Sequence, residues 1–478
     1  MARQLPRVQD KSGYLSEDTV AALASAPGGA VAVLRISGPQ AFYVLGQITP
    51  DSTAIKSEPR KLCRVRLIDP EAPVGSAEMD DALSVRFVAP ASFTGEDVVE
   101  LHLHGGSYIA ARVLDVLAKL GVRQALPGEF SFRAVRNGKM TLSQATAVSD
   151  LIAASNHGAV SLALEKLSGS QNRLITDLAQ NLRHLAVLGE VGIDFADQDV
   201  DEVSLPQLKK RLEIIISALE RLQQSYKRGA MIQDGIPVAF SGVPNAGKSS
   251  FFNALLGEDR SIVSDIPGTT RDVVREKITL SGSRNTVTLR LEDTAGLRTT
   301  DNEIERMGID RSIKSAKDAD LVLFLVDSTA PLAAALEQWK ILESPKQKAL
   351  GILTKTDLLP QGPLTSLISE CQTTFGISRW VATSAMTGHG ITSAVEAITE
   401  FAGQWLKRDP GEVVLTRLNE AQAAAEALEH LQRARDATEL DLFAADVRQA
   451  LTSMGPLIGE TLPDDILGKI FSEFCIGK

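Results

Sequence analysis

The run GVPNAGKSS, Gly242 to Ser250, follows directly on the apolar run Ile236 to Phe240. A glycine-bracketed turn between a strand and a helix aims successive backbone N–H groups at phosphate oxygens, and the helix N-terminus adds a favourable dipole. These requirements confine the middle of the chain to a strand, a tight turn and a helix, and a nucleoside triphosphate is the ligand that suits them. Gly242 and Gly247 bracket the turn, with Asn245, Ala246 and Ser250 in the same cradle. Lys248 is in reach of the β and γ phosphates, and the Ser249 hydroxyl is placed to hold Mg²⁺. The motif alone arises by chance; a strand before it and a helix after it remove most of that ambiguity.

With 478 residues, 44% of them apolar, the chain can bury several cores, so two or three domains are expected. Cys63, Cys371 and Cys475 are far apart and odd in number, which supplies neither a disulfide framework nor a CxxC metal site and fits a reducing compartment. Met1 to Asp18 carries no apolar core of signal-peptide type, and no apolar stretch is long enough to span a bilayer. A soluble cytoplasmic protein without membrane association is the expectation. The net charge of −10 gives no global attraction for nucleic acid. Lys209, Lys210, Arg211, Arg221, Lys227 and Arg228 outnumber Glu213 and Glu220 in one helical stretch, for which a solvated helix face is the simpler reading.

Texture divides the chain. Residues 1–126 hold short apolar strands at Ala30 to Ile36, Leu83 to Phe87 and Val98 to His104, and helical spacing from Tyr108 to Leu120. Residues 127–234 become helical from about Leu142. Ala145, Val148, Leu151 and Ile152 share a face there, as do Leu162 and Leu167, Leu182, Leu185 and Leu188, and the series Leu208, Leu212, Ile215, Ile216, Leu219 and Leu222. Breaks are expected at Gly189 to Asp201 and at a Gly229 turn. Residues 402–478 hold the other helix-rich stretch, at Thr416 to Glu429, Asp441 to Ser453 and Asp465 to Phe474. Each stretch alone exposes an apolar stripe, so the two are expected to form one discontinuous helical domain into which residues 235–401 are inserted. In the insert, Ile236 to Phe240, Thr286 to Leu291, Leu321 to Val326, Ala349 to Leu353 and Trp380 to Ala385 read as strands alternating with helices. That order predicts a mostly parallel sheet with ligands beyond its strand carboxyl ends. The fold class is multidomain: an α+β N-terminal domain, a discontinuous helical domain and an inserted α/β P-loop domain.

Glu292 to Gly296, EDTAG, follows another apolar strand; Asp293 can bind Mg²⁺ through water and the Gly296 N–H can contact the γ phosphate. Thr270, within DIPGTTRD at Asp265 to Asp272, is placed to complete the magnesium shell. Two loops that share the terminal phosphate as ligand relax together on hydrolysis, which makes a switch. Thr354-Lys355-Thr356-Asp357 reads the base: the Asp357 carboxylate accepts from N1–H and the exocyclic amine of guanine, a pair that adenine does not offer. GTP is therefore the expected substrate. Lys355 can cover the base plane, and the turn Ser384-Ala385-Met386 can present the Ala385 N–H to the guanine oxygen. Thr354 stands where the usual GTPase pattern has Asn; its hydroxyl can still bond the loop backbone, so weakened fixation of the phosphate loop is expected. Ras-type enzymes place a Gln after the DxxG glycine, whereas this chain has Leu297, which can neither donate nor accept a proton. Glu305 is the candidate to orient the attacking water, directly or through a second water; a solvated loop charge is its other reading. The Asn245 carboxamide oxygen can help cage a monovalent cation near the phosphates.

DTVAALASAPGGAVAVLRISGP at 18–39, SFTGEDVVELHLHGG at 92–106, PGEFSFRAVRNGK at 127–139, the inserted GTPase and FCIGK at 474–478 together resemble the MnmE (TrmE) family of tRNA uridine-5-carboxymethylaminomethyl modification GTPases, over nearly the full chain. The resemblance implies an N-terminal domain that dimerises and binds a one-carbon tetrahydrofolate, either 5,10-methylenetetrahydrofolate or 5-formyltetrahydrofolate, and a G domain of the TrmE-Era-like class. It also implies a homodimer working with the FAD-dependent MnmG (GidA) protein to place an aminomethyl or carboxymethylaminomethyl group on the wobble uridine of certain tRNAs. By the same resemblance, Asn245 and the backbone around Ser264, Ile266 and Thr269 would hold K⁺, which with Mg²⁺ promotes G-domain dimerisation and hydrolysis. Ser249 and Thr270 would be the magnesium ligands, Glu305 would position water, and Lys248 and Thr270 would join it in the catalytic set. Arg35, Glu100, Lys139 and Lys478 match the folate pocket, a carboxylate suiting the pterin and cations the glutamyl tail. Without the resemblance, Arg35 and Lys139 read as ordinary surface pairs.

Cys475, in the FCIGK tail, stands either as a functional thiol or as a small packed hydrophobe. His102 and His104 alternate along one strand and share a face, a spacing that favours a structural role over a metal site. Besides Thr354, two positions depart from the family pattern: Thr146 replaces a common Glu, and Pro267 in the cation loop removes an N–H while leaving carbonyls as ligands. A ribosome-assembly GTPase of the broader Era-like class would share the central motifs, but it needs an RNA-binding appendage and no KH segment is recognisable.

Overall fold

The computed structural model describes residues 14, 17–26, 28–50, 53–73, 77–194, 204–257, 261–264, 275–292, 316–342, 348–360, 364–409, 411–459, 471, 474 and 477. Two compact units result, one of residues 1–152, 165–176 and 454–478, the other of residues 153–164 and 177–453.

In the first unit the elements are β1 (Val20–Leu23), β2 (Val31–Ser37), α1 (Ala41–Ile48), α2 (Thr53–Lys56), β3 (Cys63–Ile68), β4 (Glu78–Phe87), β5 (Val98–His104), α3 (Ser107–Lys119), β6 (Arg123–Gln124), α4 (Glu129–Arg136) and α5 (Leu142–Ala153). The strands lie in the order β3-β4-β5-β2-β1-β6, antiparallel except for β1 beside β6. Period-two alternation decides the faces. Leu34 and Ile36 of β2 and Val99, Leu101 and Leu103 of β5 turn inward to Val44 and Leu45 of α1 and Val113, Val116 and Leu117 of α3. The alternate residues Arg35, Glu100 and His102 take the other face. Strands β1, β3 and β6 are additions to the sequence reading; the Arg64 and Arg66 side chains alternate outward along β3 and mask its apolar half. Helix α4 buries Glu129 and Arg133 together with Phe130 and Phe132. Phe132 packs with Tyr14, Leu142, Ala145, Phe471 and Phe474.

Beyond α6 (His157–Leu167) and α7 (Ser170–Asp194), the second unit contains α8 (Leu205–Gln224), α9 (Tyr226–Asp234), β7 (Ile236–Ser241), α10 (Lys248–Leu256), β8 (Ser261–Ser264), β9 (Arg275–Ser281), β10 (Thr286–Glu292), β11 (Leu321–Asp327), α11 (Leu332–Ile341), β12 (Ala349–Thr354), α12 (Leu364–Phe375), β13 (Trp380–Ala382), α13 (Ile391–Gly403), α14 (Leu418–Asp436) and α15 (Leu440–Ser453). The sheet order is β13-β12-β11-β7-β10-β9-β8, parallel from β13 through β10 and antiparallel beyond. Helices cover both faces. Phe251, Phe252 and Leu255 of α10 and Val395 and Ile398 of α13 pack on one, while Trp339 of α11 and Cys371 and Phe375 of α12 pack on the other. Residues Leu321 to Val326 of β11 are all buried, as a strand with two covered faces requires.

All six apolar residues of the α8 series, Leu208, Leu212, Ile215, Ile216, Leu219 and Leu222, are buried, and α14 packs against both α8 and α15. The helical domain is therefore discontinuous. Its two crossings into the inserted sheet run side by side: the Leu415 N–H donates to Ser225 Oγ at 3.0 Å and Arg228 bonds Glu412. A Cβ on Gly229 would stand 2.0 Å from the Leu415 carbonyl oxygen. Gly229 is thus no turn but a helical residue of α9, small because the exit segment presses on it. Of the break expected from Gly189 to Asp201, residues 195–201 lie outside the described residues, and Gly189 itself stands within α7, which continues to Asp194. There a Cβ on Gly189 would lie 3.0 Å from that of Ala444 in α15, so close helix approach accounts for the glycine. Ile152 is 50% exposed and does not share the buried face of α5. The strand expected at Trp380 to Ala385 stops at Ala382, and β8 and β9 extend the sheet unforeseen. Of the helix expected at Asp465 to Phe474, all but Phe471 and Phe474 lies outside the described residues.

Candidate functional site: a phosphate cradle beside a base-reading turn

The loop after β7 is held by steric necessity at its first glycine. Gly242 has φ +151, and a Cβ there would lie 2.3 Å from the Leu325 carbonyl oxygen of β11. Any larger residue would push the loop off the central strand. Asn245 adopts the left-handed region at φ +63 with its side chain exposed, and Gly247, φ +84, caps the N-terminus of α10. Lys248 opens that helix and folds back across the loop, donating to the carbonyls of Gly242 at 2.8 Å and Val243 at 3.0 Å. Burial pulls its ammonium below the ordinary lysine value. Ser249 follows, half-buried on the first turn, and Ser250 is exposed. The arrangement sets a half-buried cation and a helix N-terminus at the carboxyl end of a central parallel strand.

Thr354 ends β12 and is 4% exposed. Its hydroxyl lies 2.8 Å from the Ala246 carbonyl oxygen and 3.2 Å from that of Val326, so one side chain ties the cradle to two neighbouring strands. Lys355 is left-handed at φ +57, and its ammonium meets Asp327 Oδ2 at 2.7 Å. Burial pushes Asp327 upward, yet the bonds from Lys355 and Thr329 outweigh it and leave the carboxyl below its ordinary value. Asp357 stands exposed on the 3-10 turn Thr356–Leu358. That turn is fastened to the next loop through the Thr383 carbonyl, which accepts from the Thr356 N–H at 3.2 Å and from its hydroxyl at 3.0 Å. Ser384 is buried, its N–H donating to the His389 carbonyl at 2.9 Å and its Oγ accepting from the Thr387 N–H at 3.2 Å; Ala385 follows, half-buried. The cradle, the Thr354 to Asp357 turn and the Ser384-Ala385 turn are thus brought to one edge of the sheet. Ser264 ends β8. Ile266, Thr269, Thr270, Asp293, Gly296, Glu305, Cys475 and Lys478 lie outside the described residues.

In the first unit Arg35 and Glu100 face each other across β2 and β5, with Arg35 Nε at 2.9 Å and a terminal nitrogen at 2.7 Å from one carboxylate oxygen. The guanidinium lies between the rings of Phe93 and Phe130, 4.9 and 5.4 Å from their centroids. Lys139 is exposed, its stem beside Gly95 in the loop that carries Phe93. His104 Nδ1 contacts Asp80 at 2.6 Å, an acidic neighbour that the sequence reading did not find. Thr146 is buried and bonds the Ser143 carbonyl of its own helix at 2.9 Å. Of the basic stretch, Lys227 pairs with Asp320 and Arg228 with Glu412.

The glycine-bracketed cradle, the Thr354 to Asp357 turn and the doubly covered parallel sheet together have the architecture of a P-loop GTPase domain. Residues 142–475 match the model of the MnmE helical domain, and residues 19–139 match that of the GTP-binding protein TrmE N-terminus. The tRNA modification GTPase MnmE of Moorella thermoacetica is 37% identical over 97% of this chain and 100% of its own length. That of Psychrobacter arcticus is 36% identical over 100% of both. The solved G domain of the T. maritima FeoB iron transporter aligns with 35% of this chain and 98% of its own at 30% identity, TM-score 0.23. The chain belongs to the MnmE family of tRNA modification GTPases, and it is a GTPase.

Proposed function

We propose that this chain hydrolyses GTP in the cytoplasm to drive, with an FAD-dependent flavoprotein of the MnmG kind and a one-carbon tetrahydrofolate, addition of an aminomethyl or carboxymethylaminomethyl group to C5 of the wobble uridine of certain tRNAs. The observation that carries the nucleotide half is the half-buried Lys248 ammonium resting on two loop carbonyls, ready to exchange them for phosphate oxygens. The tRNA half draws support from relatives named tRNA modification GTPases that match along their whole length. Residues 1–126 would form the folate-binding and dimerising domain, 127–234 and 402–478 the helical domain, and 235–401 the G domain.

The donor set at the cradle fits Mg²⁺ in kind, since a half-buried hydroxyl stands one residue after Lys248. Ser249 and Thr270, with Asp293 acting through water, would hold that ion, which neutralises charge on the β and γ oxygens when bound. The exposed Asn245 carboxamide on its left-handed residue, with carbonyls around Ser264, Ile266 and Thr269, suits K⁺, which adds positive charge beside the same oxygens. Asp357 selects guanine, Lys355 covers it, the Ala385 N–H meets its oxygen, and Gly296 senses the γ phosphate. Glu305 orients the attacking water. In the first unit one Glu100 oxygen takes both Arg35 bonds, which leaves the other for a pterin N–H, while Arg35, Lys139 and Lys478 suit the carboxylates of the glutamyl tail.

GTP turnover is expected to be markedly faster in K⁺ than in Na⁺, and equal rates in the two salts would remove the cation from this reading. Mass analysis of wobble nucleosides from cells lacking the protein should show the modification lost. Unchanged nucleosides would defeat the tRNA assignment while leaving the GTPase intact.

A further inference from the structure

Asp327 is the last residue of β11, and the register sets it opposite Thr354 at the end of β12. Its side chain is 12% exposed. Oδ1 accepts from the Thr329 N–H at 2.9 Å and from the Thr329 hydroxyl at 2.7 Å, while Oδ2 takes the Lys355 ammonium at 2.7 Å. At φ +57 Lys355 occupies a region that residues with a long side chain rarely adopt, so the surroundings must hold it there. The structure holds it at both ends. The following residue is fastened to the Thr383 carbonyl, and the far end of the side chain is fastened to Asp327. A lysine whose two ends are anchored has little freedom left to lose when a planar base settles on its methylenes.

We propose that Asp327 is a positioning residue of the guanine-nucleotide site: by pinning the Lys355 ammonium, it presents the lysine stem as a preorganised wall for the base. The proposal rests on the guanine reading of Asp357. Asp327 acts on the nucleoside end and leaves the phosphates to the cradle. Its removal therefore weakens GDP and GTP by the same factor and leaves kcat at saturating GTP unchanged.

The test is a titration of GDP and GTP into the full chain and its D327N, D327E, K355M and D327N/K355M variants, with thermal midpoints measured alongside. D327N is expected to weaken both nucleotides about tenfold, the scale of one lost charge-assisted bond. D327E should recover most of that loss, and the double variant should bind no more weakly than K355M alone. Wild-type affinity in D327N, or losses that add in the double variant, would overturn the proposal; additivity would place Asp327 in the Thr329 turn alone. If D327N fails to fold, D327E carries the test, and affinity as low as that of K355M then counts against the proposal. A wild-type chain that binds ADP as well as GDP overturns the guanine reading and this inference with it. A selective wild type with an unaffected D327N overturns this inference alone.

Discussion

Each unit draws positive charge at least partly out of water, and the two treat it in opposite ways. In the first, Arg133 is 3% exposed and lies among Asp18, Glu96 and Glu129, while Arg123 bridges Asp18 and Glu129. Burial works against the Arg133 charge, but the carboxylates outweigh it and hold the guanidinium above its ordinary value. In the second, the partners of Lys248 among the described residues are neutral carbonyls, and burial pulls its ammonium down. One network is closed and serves architecture; the other is open to an anion. Burial alone does not mark a ligand site. A half-buried cation on loop carbonyls beside a helix N-terminus, beyond the carboxyl end of a parallel strand, is the better sign.

The sharpest way to break that contrast is to remove the architectural cation. R133M leaves the buried Glu129 and the partly exposed Asp18 and Glu96 with one cation fewer, and should cost the first unit about 3–5 kcal/mol in urea unfolding. GTP binding by the second unit should survive it. A loss near zero would mean that the carboxylates find other partners and the network is not closed. On the other side, K248A should weaken GTP binding about a hundredfold, since two phosphates lose their half-buried cation, with little change in the urea transition. A variant that keeps its affinity but unfolds early would recast Lys248 as architectural.

A smaller effect sharpens the role of Thr354. T354V removes the hydroxyl that bonds the Ala246 carbonyl and should weaken GDP by about 1 kcal/mol, roughly fivefold. T354N should bind at least as tightly as the natural chain, and tighter binding by T354V would refute the tie. The smallest effect is a linkage. Phosphate binding favours the charged lysine, whose value in the free protein lies below 10.5. As pH rises through that lowered value, the free protein gives up its proton and affinity falls, earlier than for an ordinary lysine. Calorimetry in buffers of different ionisation enthalpy should show proton uptake on GDP binding in alkaline solution, and none in K248A.

Much of this was legible in the residues. The cradle and the Thr354 to Asp357 turn are local motifs, and chemistry that depends on neighbours in sequence can be read from neighbours in sequence. The α8 series was legible because its period is that of a helix packed on one side. Gly229 was misread as punctuation, and Gly189 as the start of a break. A glycine that ends a helix and one that lets another chain segment press close are the same letter, and only Ala444 and Leu415 tell them apart. Asp327 was missed as well, although the rule that ligands gather at strand carboxyl ends could have drawn attention to it. Its partner Lys355 is remote along the chain, and the pairing exists only because β11 and β12 lie side by side.

Local pattern by itself therefore determined the main helices, the core parallel strands, the phosphate cradle and the family. The tertiary structure decided which charges pair with one another, which glycines are contacts and what holds the Lys355 ammonium. The reason is physical: propensity and backbone geometry act over a few residues, whereas an ion pair or a close approach requires two segments that only the packed core brings together.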